Sequence, residues 1–327
     1  MIENMIRILF QNTIFVSSIV LIIIFVYPLL KKWFVPRMRC LIWLLLTIRL
    51  LLPFETALIK LPVKIDLPTD QIHLENNDNH KDESTILSIE ETSQSMNSLN
   101  LSTYDIIAII WITGVVAHSL SYIIKYNVFK RGIRNASYNI NDEGMQNLLE
   151  KTLLESNLKL RKTITFKECT IINTPMLMGI IHPVLLIPDK DYGNDSLRLI
   201  IMHELIHFYN RDILLKYLLL ISKIIHWFNP MIHIMARIAN NDIELSCDAH
   251  VVKDKDLEFR KLYSDLIISH INITPINKGT LFTNFQGNKN NIKKRISEIF
   301  NFKIRKKGNY LLLLFIAILV LISPNII

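Results

Sequence analysis

His203-Glu204-Leu205-Ile206-His207 places two imidazoles four residues apart, with a carboxylate immediately after the first. On a helix, positions i and i+4 stack on one face, so both rings point the same way. Zinc takes neutral imidazole nitrogens at about 2.0–2.1 Å, and such a face offers two. Glu204 then falls beside the metal, where it can take a proton from bound water. With 10 His in 327 residues the pattern is not rare enough to stand alone, since chance supplies it in about one such chain per hundred. The flank strengthens it. From Ser196 to His207, apolar residues recur at Leu197, Leu199, Ile200, Met202 and Ile206 with helical spacing.

Two imidazoles leave a catalytic zinc one protein ligand short. The candidate is Glu244, in Asp242-Ile243-Glu244-Leu245-Ser246-Cys247-Asp248. Glu244 and Asp248 share a helix face at i and i+4. Glu244 can bind the metal while Asp248 accepts a hydrogen bond from a ligand imidazole. A merely solvated acidic face fits less well, because Ile243, Leu245 and Cys247 interrupt it. Asp212, five residues after His207, either supports a ligand or anchors the next helix. Cys247 reads as a small buried apolar residue before it reads as a ligand. His226 and His233 are expected to pack around Trp227, and His250 and Tyr263 are both candidates to stabilise an oxyanion.

The elements that must hold these residues lie in or against a membrane. Half the residues are hydrophobic and mean hydropathy is +0.29. Spans are expected at about 6–30, 36–54, 105–124 and 310–327, each near the length a bilayer requires. The first does not read as a signal peptide, having Glu3 beside a lone Arg7, an over-long apolar run and no small-residue cleavage site. Arg49, inside the second, is either functional or snorkelling. Basic clusters orient the spans. They are Lys31, Lys32, Arg37 and Arg39; Lys125, Lys130, Arg131 and Arg134; and Lys303, Arg305, Lys306 and Lys307. These are expected in the cytoplasm, and the acidic loop 55–104 outside, together with both termini. The net charge of +8 thus sits at membrane edges, where anionic lipid explains it better than nucleic acid does. Cys40, Cys169 and Cys247 imply no disulfide framework.

Residues 127–309 are long enough for one cytosolic domain. A helix is expected over 145–158, short strands over 163–166, 169–172 and 184–187, and helices from Ser196 onward. The segment Ile213 to Phe228 is short for a span and carries Lys216 and Lys223. It reads as a buried or membrane-surface helix that leaves the site. Asn229-Pro230 then turns the chain, and a second helix brings Glu244 back.

Taken in order, these motifs resemble the M56 metallopeptidases, the family of the BlaR and MecR antibiotic-sensing signal transducers. The resemblance rests on the four-span layout and several segments. Thr174-Pro175-Met176-Leu177-Met178-Gly179, leading to Pro183 and Leu186-Ile187-Pro188, is similar to the strand segment before the metal helix. His203 to His207 with Asn210-Arg211-Asp212, then His226-Trp227-Phe228-Asn229-Pro230, then Glu244 to Asp248, complete the set. It implies a mainly α integral membrane protein with a cytosolic α+β gluzincin-type zinc peptidase domain. It also implies His203, His207 and Glu244 as ligands, with Glu204 as base. Asp248 and Asp212 are expected behind the ligands. The implied partner is a cytosolic protein substrate, a winged-helix DNA-binding repressor; a homodimer is left open. β-Lactam sensing is not expected, since the chain stops at Ile327 and shows no Ser-x-x-Lys motif outside. A substrate peptide is expected beside an edge strand at 184–187. The rival readings are a housekeeping protease for misfolded membrane proteins and a non-catalytic zinc-containing regulator.

Overall fold

A computed structural model describes residues 2–52, 102–140, 143–156, 158, 164–179, 181–190, 192–269, 283–284 and 289–301. Most of the acidic loop, the basic cluster at 303–307 and the fourth expected span lie outside these residues.

Helix α1 (Ile2–Trp33) and helix α3 (Thr103–Ala136) are each long and apolar enough to cross a bilayer. Between them α2 (Pro36–Leu51) is only 16 residues, about 24 Å, against roughly 30 Å of hydrocarbon. Its start is set by chain chemistry: Val35 is extended and Pro36 occupies the first helical turn, where its missing N–H costs nothing. Unlike α1 and α3, α2 is enclosed: Cys40, Ile42, Trp43, Leu46 and Leu50 are buried, and Arg49 with them. A capping box of Ser102 and Asp105 opens α3. The helix then runs unbroken through residue 127, where the sequence places the membrane edge, and feeds directly into β1 (Ser137–Asn139).

After α4 (Glu143–Ser156) come β2 (Thr165–Cys169), β3 (Met176–Met178) and β4 (Val184–Pro188). With β5 (Thr283–Asn284) they form a sheet in the order β1-β2-β4-β3-β5, in which β2 and β4 are parallel and the other pairs antiparallel. Two expectations fail here. The strands placed at 163–166 and 169–172 are one strand, β2, ended by a turn at Thr170-Ile171. The edge at 184–187 does not exist, because β2 and β3 cover both sides of β4. Alternation assigns the faces: Leu185 and Ile187 turn one way with Leu177, while Leu186 turns the other way with Met176. Gly179 closes the β3–β4 turn at φ +87°, and a Cβ there would lie 2.4 Å from the His182 carbonyl oxygen, so a side chain is excluded twice over.

Helix α5 (Asn194–Tyr209) lies on that sheet and is buried on nearly every side. Leu197, Ile201 and Leu205 pack on the sheet. Leu199, Ile200 and Ile206 pack on α7 (Pro230–Val251), α8 (Leu257–Ser269) and α9 (Lys289–Phe300). Helix α6 (Asp212–Ile225) leaves this core alongside α2 and α3, and α7 returns, starting at an Asn229 cap with Pro230 behind it. The hairpin runs against α1. His226 Nδ1 lies 2.9 Å from Thr13 Oγ1, Asn229 Nδ2 donates to Ser17 Oγ at 2.6 Å, and Tyr27 donates to Asp242 at 2.7 Å. From Thr13 to Tyr27 is about 21 Å of helix. The α6–α7 hairpin therefore inserts deep among the apolar helices instead of lying at a surface.

Small residues let it in. Ala236 and Ala239 are buried against the α1–α2 layer. Gly114 of α3 abuts Trp227, whose ring a Cβ would meet at 2.3 Å. Arg39 and Asp242 pair at 2.8 Å, both fully buried. Removing one member of such a pair costs about 3–5 kcal/mol.

Candidate metal centre

The pattern at 203–207 does become helix, and His203, Glu204 and His207 are fully buried. Each imidazole is held by its Nδ1. His203 Nδ1 lies 2.7 Å from the Tyr263 hydroxyl, which donates to Asp248 Oδ1 at 2.8 Å. Since the hydroxyl proton goes to Asp248, His203 Nδ1–H must be the donor to Tyr263. His207 Nδ1 lies 2.7 Å from Asp212 Oδ2 and likewise carries the proton. The bend that brings Asp212 back is sharp: Arg211 adopts a left-handed φ of 58°. An ordinary αR residue there would continue α5 and carry the carboxylate away.

Both tautomers leave Nε2 as the acceptor, and the two Nε2 atoms face each other at 3.1 Å. Two lone pairs at that separation repel unless a cation, proton or metal, lies between them. Glu244 closes the group. Its Oε2 is 3.6 Å from His203 Nε2 and its Oε1 is 3.6 Å from His207 Nε2. Ligand atoms on tetrahedral zinc with bonds of about 2.0–2.1 Å lie roughly 3.3–3.4 Å apart. Glu244 Oε2 is also buried without a hydrogen-bond donor among the described residues. These three side chains could hold a metal with little rearrangement.

Cys247 also lies within 4.8 Å of both imidazoles. Its Sγ, however, sits 3.2 Å from His203 Nδ1, the side facing Tyr263, and donates to the His203 carbonyl at 3.3 Å. Burial pushes the thiol up to about 12, with Asp248 and Glu244 adding to the effect, so it is neutral. That environment makes a poor thiolate ligand.

Charge is balanced around the group. Burial lowers the His203 pKa to about 4. Burial opposes charge on His207 as well, yet the Glu244 carboxylate and the bond to Asp212 hold it well above the ordinary value. Burial alone would raise Glu244, but His207 and Lys216 keep it well below the usual carboxylate range. Arg295 grips both oxygens of Asp248 at 2.7 Å and approaches Glu244 at 3.6 Å.

Glu204 accepts the backbone N–H of Leu177 at 3.1 Å through Oε2. Strand β3 thus fixes the carboxylate that follows the first histidine. Of the candidates named from sequence, His203, Glu204, His207, Asp212, Glu244 and Asp248 come together. His226 binds Thr13, His233 Nε2 lies 3.2 Å from the Trp227 carbonyl, and His250 stacks edge-on to Tyr209. Tyr263 is committed on both sides of its hydroxyl, which removes it as an oxyanion donor. Lys216, on the helix expected to be buried or at the membrane surface, is buried and reaches Glu244 at 3.4 Å. Arg295 was missed, although its position on the apolar stripe of Ile292, Ile296 and Ile299 marks it as turned inward.

The family description "BlaR1 peptidase M56" matches residues 7–299. The chain belongs to the M56 peptidase family. It is 26% identical over 329 residues to "Regulatory protein BlaR1" of Staphylococcus aureus, covering 96% of this chain and 54% of that protein. The protein of the same name from Bacillus licheniformis is 27% identical over 222 residues, 66% of this chain and 35% of the relative. A "Methicillin resistance mecR1 protein" of Staphylococcus aureus is 30% identical over 116 residues, 32% of this chain and 20% of that one. The chain spans about half the length, or less, of these relatives. Family membership and two apolar helices support a membrane location and a peptidase character.

Proposed function

We propose that this chain is a membrane-embedded zinc endopeptidase of gluzincin type, with four spans, both termini outside and the peptidase in the cytosol. Its ligands are His203, His207 and Glu244, and Glu204 is its base. One observation carries the reading: both Nδ1 atoms are tied from behind, so that both Nε2 atoms and the Glu244 carboxylate converge within 3.1–3.6 Å. Tyr263 with Asp248, and Asp212, are the groups that fix the rings; a carboxylate behind a ligand histidine also raises its basicity.

Bound zinc would supply a water of pKa near ~7 and polarise the scissile carbonyl. Glu204 takes the proton of the attacking water and returns it to the leaving amine. The Leu177 N–H holds the buried Glu204 carboxylate in a fixed direction. Lys216 and Arg295 hold Glu244 as the anion a ligand must be. The substrate class follows from the resemblance: a cytosolic protein of the winged-helix repressor class, cut in response to a signal.

Glu204→Gln in the full-length protein in lipid nanodiscs tests the chemistry. It should keep its zinc and cleave a repressor-class protein about 10²–10⁴-fold more slowly. Near-normal turnover removes Glu204 from the mechanism.

A further inference from the structure

The basic residues at the start of α2 do more than mark a membrane edge. Arg37 places Nη1 3.3 Å from Asp212 Oδ1 and donates through Nη2 to the Asn210 carbonyl at 3.0 Å. Asp212 therefore spends one oxygen on α2 and the other on His207. Two residues on, Arg39 holds Asp242 Oδ1 from Nε at 2.9 Å and from Nη2 at 2.8 Å. Trp43, one turn further along α2, donates to Asp242 Oδ2 at 2.8 Å. At about 100° per residue, positions 242 and 244 of α7 point roughly 200° apart. The face that α2 grips is thus opposite the face that presents Glu244. The α2–α7 contact is otherwise apolar and close, with Ile42, Leu46, Ala236, Ala239 and Ile243 buried in it.

We propose that α2 positions the metal centre: Arg37 sets His207 through Asp212, and Arg39 sets Glu244 through Asp242, so a displacement of α2 alters the site. The proposal rests on the zinc-site reading above and adds how the site is regulated. A fully buried guanidinium–carboxylate pair cannot slide into water when α2 moves. It either breaks or carries α7 with it. Two of the three ligands would then respond to one short helix that is packed between α1, α6 and α7.

Arg37 is the residue to change first, because its side chain is 46% exposed and its loss need not unfold the protein. The full chain in nanodiscs is compared with Arg37→Met and Arg37→Lys, each with and without Asp212→Ala, and zinc affinity is read by chelator competition. Arg37→Met should weaken zinc about 3–10-fold, Arg37→Lys should restore part of it, and Arg37→Met should be silent once Asp212 is gone. An unchanged affinity, or an equal loss in both backgrounds, overturns the proposal. Hydrogen exchange of the α7 amides around Glu244, measured without metal, reads the second tether. Arg39→Met should speed it at least about tenfold, and unchanged exchange overturns that half. Wild-type protein that binds no zinc would sink the reading of the site instead, while exchange still decides whether α2 holds α7.

Discussion

Tyr263 stands between His203 and Asp248, 2.7 Å from the imidazole Nδ1 and 2.8 Å from the carboxylate. The phenol relays the carboxylate's pull to a ring that Asp248 itself approaches only to 3.7 Å. Tyr263→Phe keeps the packing and removes the relay. It should weaken zinc about 10-fold, by chelator competition, with a melting temperature close to that of the parent. A variant with full affinity and a lower kcat would instead return Tyr263 to the oxyanion.

Metal uptake should release a proton. With the site free of metal, the Glu244 carboxylate and the bond to Asp212 raise the His207 pKa against the effect of its burial. A proton on His207 Nε2 would lie between two Nε2 atoms 3.1 Å apart, in the place a metal would take. Because the His207 pKa is raised, zinc affinity should increase as pH rises through that raised value, and level off above it. Calorimetry in two buffers of different ionisation enthalpy near pH 7 should show close to one proton released. No dependence on buffer would mean that His207 is already neutral.

Gly114 is the notch that receives Trp227. Gly114→Leu should loosen α3 from the α6–α7 turn and lower stability by about 1–3 kcal/mol. Thermal unfolding in detergent checks this. Trp111 should report it too, since its Nε1 donates to the Ile225 carbonyl across the same contact.

What was legible in the sequence was whatever depends on local spacing. The i, i+4 relation of His203 and His207, the turn at Asn229-Pro230 and the pairing of Glu244 with Asp248 follow from 3.6 residues per turn. What was not legible depends on elements far apart in the chain. Arg37 and Asp212 are separated by 175 residues, and Arg295 and Asp248 by 47. An arginine near a membrane edge satisfies the orientation rule whether or not it is also an internal partner, so charge alone could not show that Arg39 is buried on Asp242 or that the exposed Arg37 reaches Asp212. The strand at Met176–Met178 is three residues long, too short for alternation to appear. Its Leu177 N–H nonetheless fixes Glu204. The interior place of Val184–Pro188 arises because β3 folds back antiparallel on one side while β2 lies parallel on the other, and neither partner is adjacent along an uninterrupted run.

The central claim is that nitrogen and oxygen alone hold the metal, from His203, His207 and Glu244, although the Cys247 sulfur lies within 4.8 Å of both imidazoles. X-ray absorption of the zinc-loaded full-length protein separates the two directly. The account predicts scatterers at about 2.0–2.1 Å and none at the zinc–sulfur distance of about 2.3 Å, with a spectrum unchanged in Cys247→Ser and lost or rearranged in Glu244→Ala. A sulfur shell at about 2.3 Å that disappears in Cys247→Ser would contradict it.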